Sequence, residues 1–314
     1  MAKFQTRFRQ NQTAKKITSN KIRQFSGFGD RAFITFVFIF LISFVIICIL
    51  PLWMVISASL TPELELRQFG FQLFPKEFTT FAYNFVFSGK QIVRSYVITL
   101  TVTGLGTLLA MAISTPLAYL MASKKARYSP AISFFVYFTM ILGGSLVGFY
   151  ILMARWLDLR NTIWAMILPY LINPFFAFIL VAYFRTIPQE IIEAAIIDGA
   201  NDLTIFWKVA VPLAKPALAS VSLFYALRYW NDWWLSLLFI DDPKLYTLQV
   251  MIRQLQSQVN SALYMQGSNI NAGPIPTLGV IMATVVLTIG PIVLLYPIVQ
   301  RYFVKGMLIG AVKG

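Results

Sequence analysis

TIPQEIIEAAIIDGANDLTIFWKVAVPLAKP, residues 186–216, is a polar stretch set between two long apolar runs. It carries Glu190, Glu193, Asp198, Asp202 and Lys208. Its local chemistry predicts two short helices and a sharp turn. Thr186 and Gln189 have the spacing of a capping box, in which the hydroxyl takes an orphan backbone N–H and the amide reaches back. Pro188 fits a first turn, where its missing N–H leaves no bond unmade. Glu190 and Glu193 lie near the positive end of the helix dipole. Ile191, Ile192, Ala195 and Ile196 form an apolar stripe at helical spacing. Gly199 supplies the left-handed residue that ends a helix. Asn201 or Asp202 can cap the second helix, and Pro212 marks the approach to the next apolar run.

Around this stretch lie six apolar runs, near 32–56, 92–121, 130–156, 163–184, 212–240 and 276–303. Each is long enough to cross a hydrocarbon core of ~30 Å, which takes about 20 helical residues. Pro51 and Pro116 fall inside runs and predict kinks, which membrane helices tolerate. Gly143, Gly144 and Gly148 permit close helix contact or a local break in the third run. Basic residues set the orientation. Lys3, Arg7, Arg9, Lys15, Lys16, Lys21, Arg23 and Arg31 precede the first run, Lys124, Lys125 and Arg127 follow the second, and Arg301, Lys305 and Lys313 follow the sixth. The positive-inside rule places these segments and both termini in the cytosol. The 186–211 loop then falls on the cytosolic side as well. The opposite loops are mixed or acidic, and two are long. Residues 57–91 are aromatic-rich and 241–274 are rich in Gln, Asn and Ser. They are expected either to face an extracytoplasmic binding protein or to pad the surface of the bundle.

Composition agrees with this class and excludes others. Of 314 residues, 58% are hydrophobic and 12% charged, with a mean hydropathy of +0.70. A soluble chain carries about 25% charged residues. The net charge of +14 clusters at membrane flanks, which fits orientation and not nucleic acid. There is no histidine and one cysteine, Cys48. Zn, Cu or haem sites are therefore not expected, and His-dependent catalytic sets are excluded. No phosphate-binding G-x-x-x-x-G-K-[ST] loop occurs, so ATP is not expected to bind this chain. No acidic pair sits mid-run to carry protons or sodium.

One further cluster draws notice. The fifth run holds Tyr225, Arg228, Trp230, Asn231, Asp232, Trp233 and Trp234. Arg228 and Asp232, four apart, are predicted to share a helix face ~24–30 Å beyond Pro212. Tyr225, Arg228, Trp230, Asn231 and Asp232 form a candidate outer gate or cavity wall whose rings could stack on sugars. The alternative is an interfacial aromatic belt with a self-neutralising ion pair, which suits Trp233 and Trp234 better.

Glu193-Ala194-Ala195, three residues, Gly199, nine residues, then Val209-Ala210-Val211-Pro212 resembles the EAA loop of ABC-importer permeases. The family pattern is EAA, x3, G, x9, I-x-L-P; Val209 and Val211 replace Ile and Leu. The resemblance implies a coupling helix that docks on a cytosolic ATPase, with Glu193, Ala194, Ala195, Asp198, Gly199 and Pro212 as its coupling residues. A surface-lying amphipathic connector is the plainer alternative. Trp230-Asn231-Asp232 with Tyr246-Thr247-Leu248, and Gln300–Gly306 with Gly310–Gly314, are similar to carbohydrate-importer permeases, the smaller maltose-type subunit. Gly143-Gly144-Ser145 and Asn161–Ala165 resemble the LplC-like branch, associated with complex oligosaccharides.

The expected fold is therefore all-α: a cytosolic tail (1–31), a six-helix transmembrane permease domain (32–303) with its coupling loop at 186–211, and a cytosolic tail (304–314). The resemblance implies a prokaryotic plasma-membrane importer subunit working by alternating access. Its implied partners are a second homologous permease, two ABC ATPases that bind ATP and Mg, an extracytoplasmic solute-binding protein and the lipid bilayer; nucleic acid is not one. No cofactor is expected in this chain. Two rivals stay open: a permease for a non-sugar solute, and a transporter acting alone.

Overall fold

The computed structural model describes residues 28–266, 278–291 and 293. Among them the regular structure is entirely helical. The tails, the 300–314 motif and much of the sixth run lie outside the described residues. The chain opens with α1 (Phe28–Ser59), α2 (Glu63–Phe69), α3 (Phe81–Ser88) and α4 (Lys90–Ala122). It continues with α5 (Ser129–Ile141), α6 (Leu146–Trp156), α7 (Trp164–Tyr170) and α8 (Pro174–Phe184). The 186–216 stretch follows as α9 (Gln189–Ile197) and α10 (Asp202–Leu213). The remainder is α11 (Lys215–Trp230), α12 (Trp234–Phe239), α13 (Leu248–Gln266) and α14 (Leu278–Pro291).

Each predicted run holds helix, and among the described residues two helices are long and apolar enough to cross unbroken. The most apolar 18-residue window has a mean hydropathy of 3.2 within Arg31–Ser59 of α1 and 1.9 within α4. The third run breaks at Gly143-Gly144, where α5 and α6 meet at 111°. The fourth bends by 45° between α7 and α8. The fifth, expected as one helix over 212–240, is corrected in two places. Pro212 belongs to α10, which meets α11 at 80°. Pro212 has no N–H to return, and the preceding turn widens so that the Val211 N–H bonds the Phe206 carbonyl. At its far end α11 stops at Trp230. The 241–274 loop is also corrected, because it contains α13. Leu248 and Val250 are buried, and Met251 and Leu255 pack against the same cluster, a helical period hidden among glutamines.

The core forms where α4 packs along α11 and α8, with α5 and α13 beside α4. Small residues allow this closeness. The Tyr229 ring lies over Gly106, where an added Cβ would stand 2.7 Å from it. Its hydroxyl donates to the Ile167 carbonyl at 3.0 Å, so the ring cannot swing away freely. In contrast, the apolar window of α1 has no buried residue. Such an all-round apolar surface suits contact with hydrocarbon.

The loops expected on one side are tied to one another. Arg160, whose proton is held more tightly through the Asp241 hydrogen bond and then its charge, pairs with Asp241 at 2.8 Å. Both groups are exposed, so the pair adds little stability. Asn161 contributes more. It adopts φ 58°, a left-handed state Asn tolerates, and its Oδ1 accepts from the Asp241 and Asp242 N–H groups at 2.6 and 3.1 Å. Gln91 donates to the Pro243 carbonyl at 2.5 Å. Glu63 accepts from the Leu278 and Gly279 N–H groups at 3.1 and 3.2 Å, placing a carboxylate on the positive end of α14. At the opposite end Tyr119 meets Phe184 and Phe206, ring centres 5.6 and 5.1 Å away. This brings the turn after α4, with its Lys124, Lys125 and Arg127, to the same end as α9.

Gly106→Ala is expected to destabilise the purified protein by about 1–3 kcal/mol through overpacking against Tyr229. A lowered thermal midpoint in detergent, restored by pairing the change with Tyr229→Leu, checks it.

Candidate functional site

Two regions carry the predicted site residues, one at each end of the bundle. The first is α9. Its N-cap is Pro188, with no side-chain cap. The predicted capping box is not formed, because the Thr186 hydroxyl donates backward to the Tyr183 carbonyl at 2.7 Å. The C-terminus follows expectation. Gly199 has φ 80°, its N–H bonds the Ile196 carbonyl at 3.0 Å, and the Ala200 N–H bonds the Ala195 carbonyl at 2.9 Å. This is a Schellman close, with the last carbonyls satisfied. Asn201 then caps α10, its Oδ1 accepting from the Thr204 N–H at 2.8 Å.

Among the described residues the apolar stripe of α9 finds no core, since none of its residues is buried. Ile197, Leu203 and Trp207 are 86%, 67% and 61% exposed. Glu193, Ala194, Asp198 and Pro212 are also exposed, and Ala195 is half-buried. Glu193 makes no ion pair among the described residues. Large exposed apolar residues of this kind mark a surface that meets another protein or the membrane.

The second region is a cleft of about 450 Å³ beside the end of α11. Of the candidate gate residues Arg228, Asn231 and Asp232 line it, and so do Trp233 and Trp234, which had suited a belt. Tyr225 and Trp230 do not line it, which corrects the prediction. Tyr225 is fully buried. Its oxygen accepts from the Asn173 N–H at 3.0 Å and meets the Ser114 hydroxyl at 2.7 Å, while Ser114 reaches the Leu171 carbonyl at 3.3 Å. Trp230 is buried and donates to the Thr288 carbonyl of α14 at 3.2 Å.

Asp232 and Arg228 do not share a helix face, because α11 ends between them. Asp232 lies in the break before α12. It accepts the Tyr170 hydroxyl at 2.7 Å on one oxygen and the Leu235 N–H at 3.1 Å on the other. The expected ion pair is absent among the described residues. Arg228 instead lies over the Tyr170 ring, 4.3 Å from its centre. Arg253 of α13 lies 3.4 Å over Trp233. Tyr170, Phe176, Phe224 and Leu227 complete the wall. Tyr170 and Phe176 escaped the sequence reading because they lie more than fifty residues from Arg228, and no local spacing joins them.

The family described as "Binding-protein-dependent transport system inner membrane component" matches residues 114–309. The chain belongs to this family. As such an inner membrane component it is a transport subunit of the ABC-importer class, whose members work with a partner permease, an ATPase and a solute-binding protein. The polygalacturonan/rhamnogalacturonan transport system permease protein YtcP of Bacillus subtilis (strain 168) is 37% identical over 286 residues, covering 91% of this permease and 99% of YtcP. Protein LplC of the same organism is 38% identical over 268 residues, 85% of this permease and 90% of LplC. Among solved structures, a bacterial ABC transporter involved in the import of the acidic polysaccharide alginate shares the fold at a TM-score of 0.78. It has 28% sequence identity, with 89% of this permease and 99% of that chain covered.

Tyr225→Phe is expected to cost the permease about 1–3 kcal/mol, because it removes the acceptor of the half-buried Asn173 N–H and leaves Ser114 only its long bond to Leu171. A fall in the thermal midpoint checks this. An unchanged midpoint would mean that water fills the gap.

Proposed function

We propose that this permease moves a sugar or oligosaccharide into the cytoplasm by alternating access, in a heterodimer with a homologous permease. Two ATPase subunits would bind ATP and Mg beneath it, and a binding protein would deliver cargo from outside. The observation that carries the reading is α9: a short amphipathic helix, closed by a left-handed glycine, with its apolar face uncovered at the bundle end. In this reading Glu193 pairs with a basic group or backbone donor of the ATPase, and Ala194 and Ala195 permit close approach. Asp198, Gly199 and Pro212 fix the turn and the bend that pass the motion to α11. The carbohydrate cargo is supported by relatives named for polygalacturonan and rhamnogalacturonan, for arabinooligosaccharides and for melibiose, raffinose and stachyose. Both termini and α9 would face the cytoplasm, on the strength of the basic residues at that end.

Tagged permease is to be captured from its native membranes, and the chains that come with it identified by mass. Recovery of a second permease and an ATPase is expected. A chain that purifies alone and moves solute in vesicles without ATP overturns the reading in favour of a transporter acting by itself. Within the assembled complex, Gly199→Val is expected to uncouple ATP hydrolysis from uptake, since a branched residue resists φ near +80° by about 1–2 kcal/mol. Gly199→Asn, which tolerates that conformation, should retain most uptake. Normal uptake by the valine variant refutes the role given to the turn.

A further inference from the structure

The geometry points to the cleft at the end of α11 as a subsite for the carboxylate of an acidic sugar, with the Arg228 guanidinium as the group that receives it. This rests on the carbohydrate reading above and deepens it.

Each carboxylate oxygen of Asp232 holds a protein donor, the Tyr170 hydroxyl on one and the Leu235 N–H on the other, and keeps a lone pair for a sugar hydroxyl. The Asn231 amide donates to the Leu227 carbonyl at 2.9 Å, which leaves its oxygen as a further acceptor. The cation among the lining residues is Arg228. Arg228 is exposed to the cleft, and no carboxylate lies within 4.0 Å of it among the described residues. Its fork of N–H groups matches a carboxylate in bidentate geometry. The Tyr170 ring, 4.3 Å from the guanidinium carbon, holds it in place by a cation–π contact.

The rest of the wall suits a sugar and not a bare anion. Trp233 and Trp234 meet at 84°, and Phe176 stacks on Phe224 with ring centres 5.7 Å apart. Such rings offer flat apolar faces for the C–H side of a pyranose. Arg253, 3.4 Å over Trp233, adds a second positive charge beside the mouth. A volume of about 450 Å³ has room for roughly one or two sugar rings, within the usual size of small-molecule sites.

The test uses the whole complex with its ATPase and second permease, purified in detergent without the binding protein. Tryptophan fluorescence is followed on titration with trigalacturonate and with its carboxyl-reduced, neutral counterpart. The expected result is a saturable change for the acidic trisaccharide, weaker by about tenfold or more for the neutral one. Arg228→Gln should abolish that preference, and Arg228→Lys, a charge without the planar fork, should fall between. Equal binding of both sugars by the wild type overturns the proposal, as does an unchanged preference in Arg228→Gln. The same change produced by phosphatidylglycerol in place of sugar would assign Arg228 to a lipid headgroup and also overturn it. Failure of Arg228→Gln to co-purify with the second permease would make Arg228 an assembly contact, with the same consequence. If proteoliposomes with the binding protein take up trigalacturonate while the preference is lost, only this subsite fails. If they take up no carbohydrate with ATP, the functional reading fails first.

Discussion

Where the fourth apolar run bends between α7 and α8, backbone groups come free in a place where lipid can offer them nothing. A peptide group left unpaired in hydrocarbon costs several kcal/mol, so the bend exists only because neighbouring helices supply partners. Tyr229 of α11 takes the Ile167 carbonyl. Ser114 of α4 reaches the Leu171 carbonyl, and Tyr225 receives the Asn173 N–H and meets Ser114. The result is a short relay from Asn173 through Tyr225 and Ser114 to Leu171. It binds three helices that are distant in sequence. Gly106, by admitting the Tyr229 ring, lets α4 and α11 come close enough for the relay to close.

The same bend builds the cleft. By turning the chain at Leu171–Asn173 it sets Tyr170 beside the end of α11 and Phe176 beside Phe224. Asp232 then serves the wall twice, fixing the Tyr170 hydroxyl and capping α12. The broken helices of this protein are therefore not defects in membrane spans. They are the places where backbone direction changes so that side chains from separate runs face one opening.

What could be read from the sequence follows the range of the forces involved. The turn at Gly199 and the cap at Asn201 depend on residues three or four apart, and both stand as predicted. Thr186 and Gln189 are just as local, yet Pro188 between them takes the cap position and the Thr186 hydroxyl turns back to Tyr183. Hydropathy located the first five runs but carries no information on direction, so the stops at Leu213 and Trp230 did not show in it. In α13 the opposite happened, as polar composition masked a helical period. The partition of the end of α11 into buried Tyr225 and Trp230 and exposed Arg228 required the positions of α4, α7 and α14, which no spacing encodes.

At the end of the bundle away from α9, the seam is sewn largely through main-chain atoms: Asn161 to two amides, Gln91 to a carbonyl, Glu63 to the first amides of α14. Three side chains thus hold the register of segments that are otherwise irregular. Substitution elsewhere on that face leaves these knots intact, because a main-chain group is present whatever residue bears it. As far as folding goes, the surface over this frame can drift in charge and shape while the frame beneath keeps its alignment.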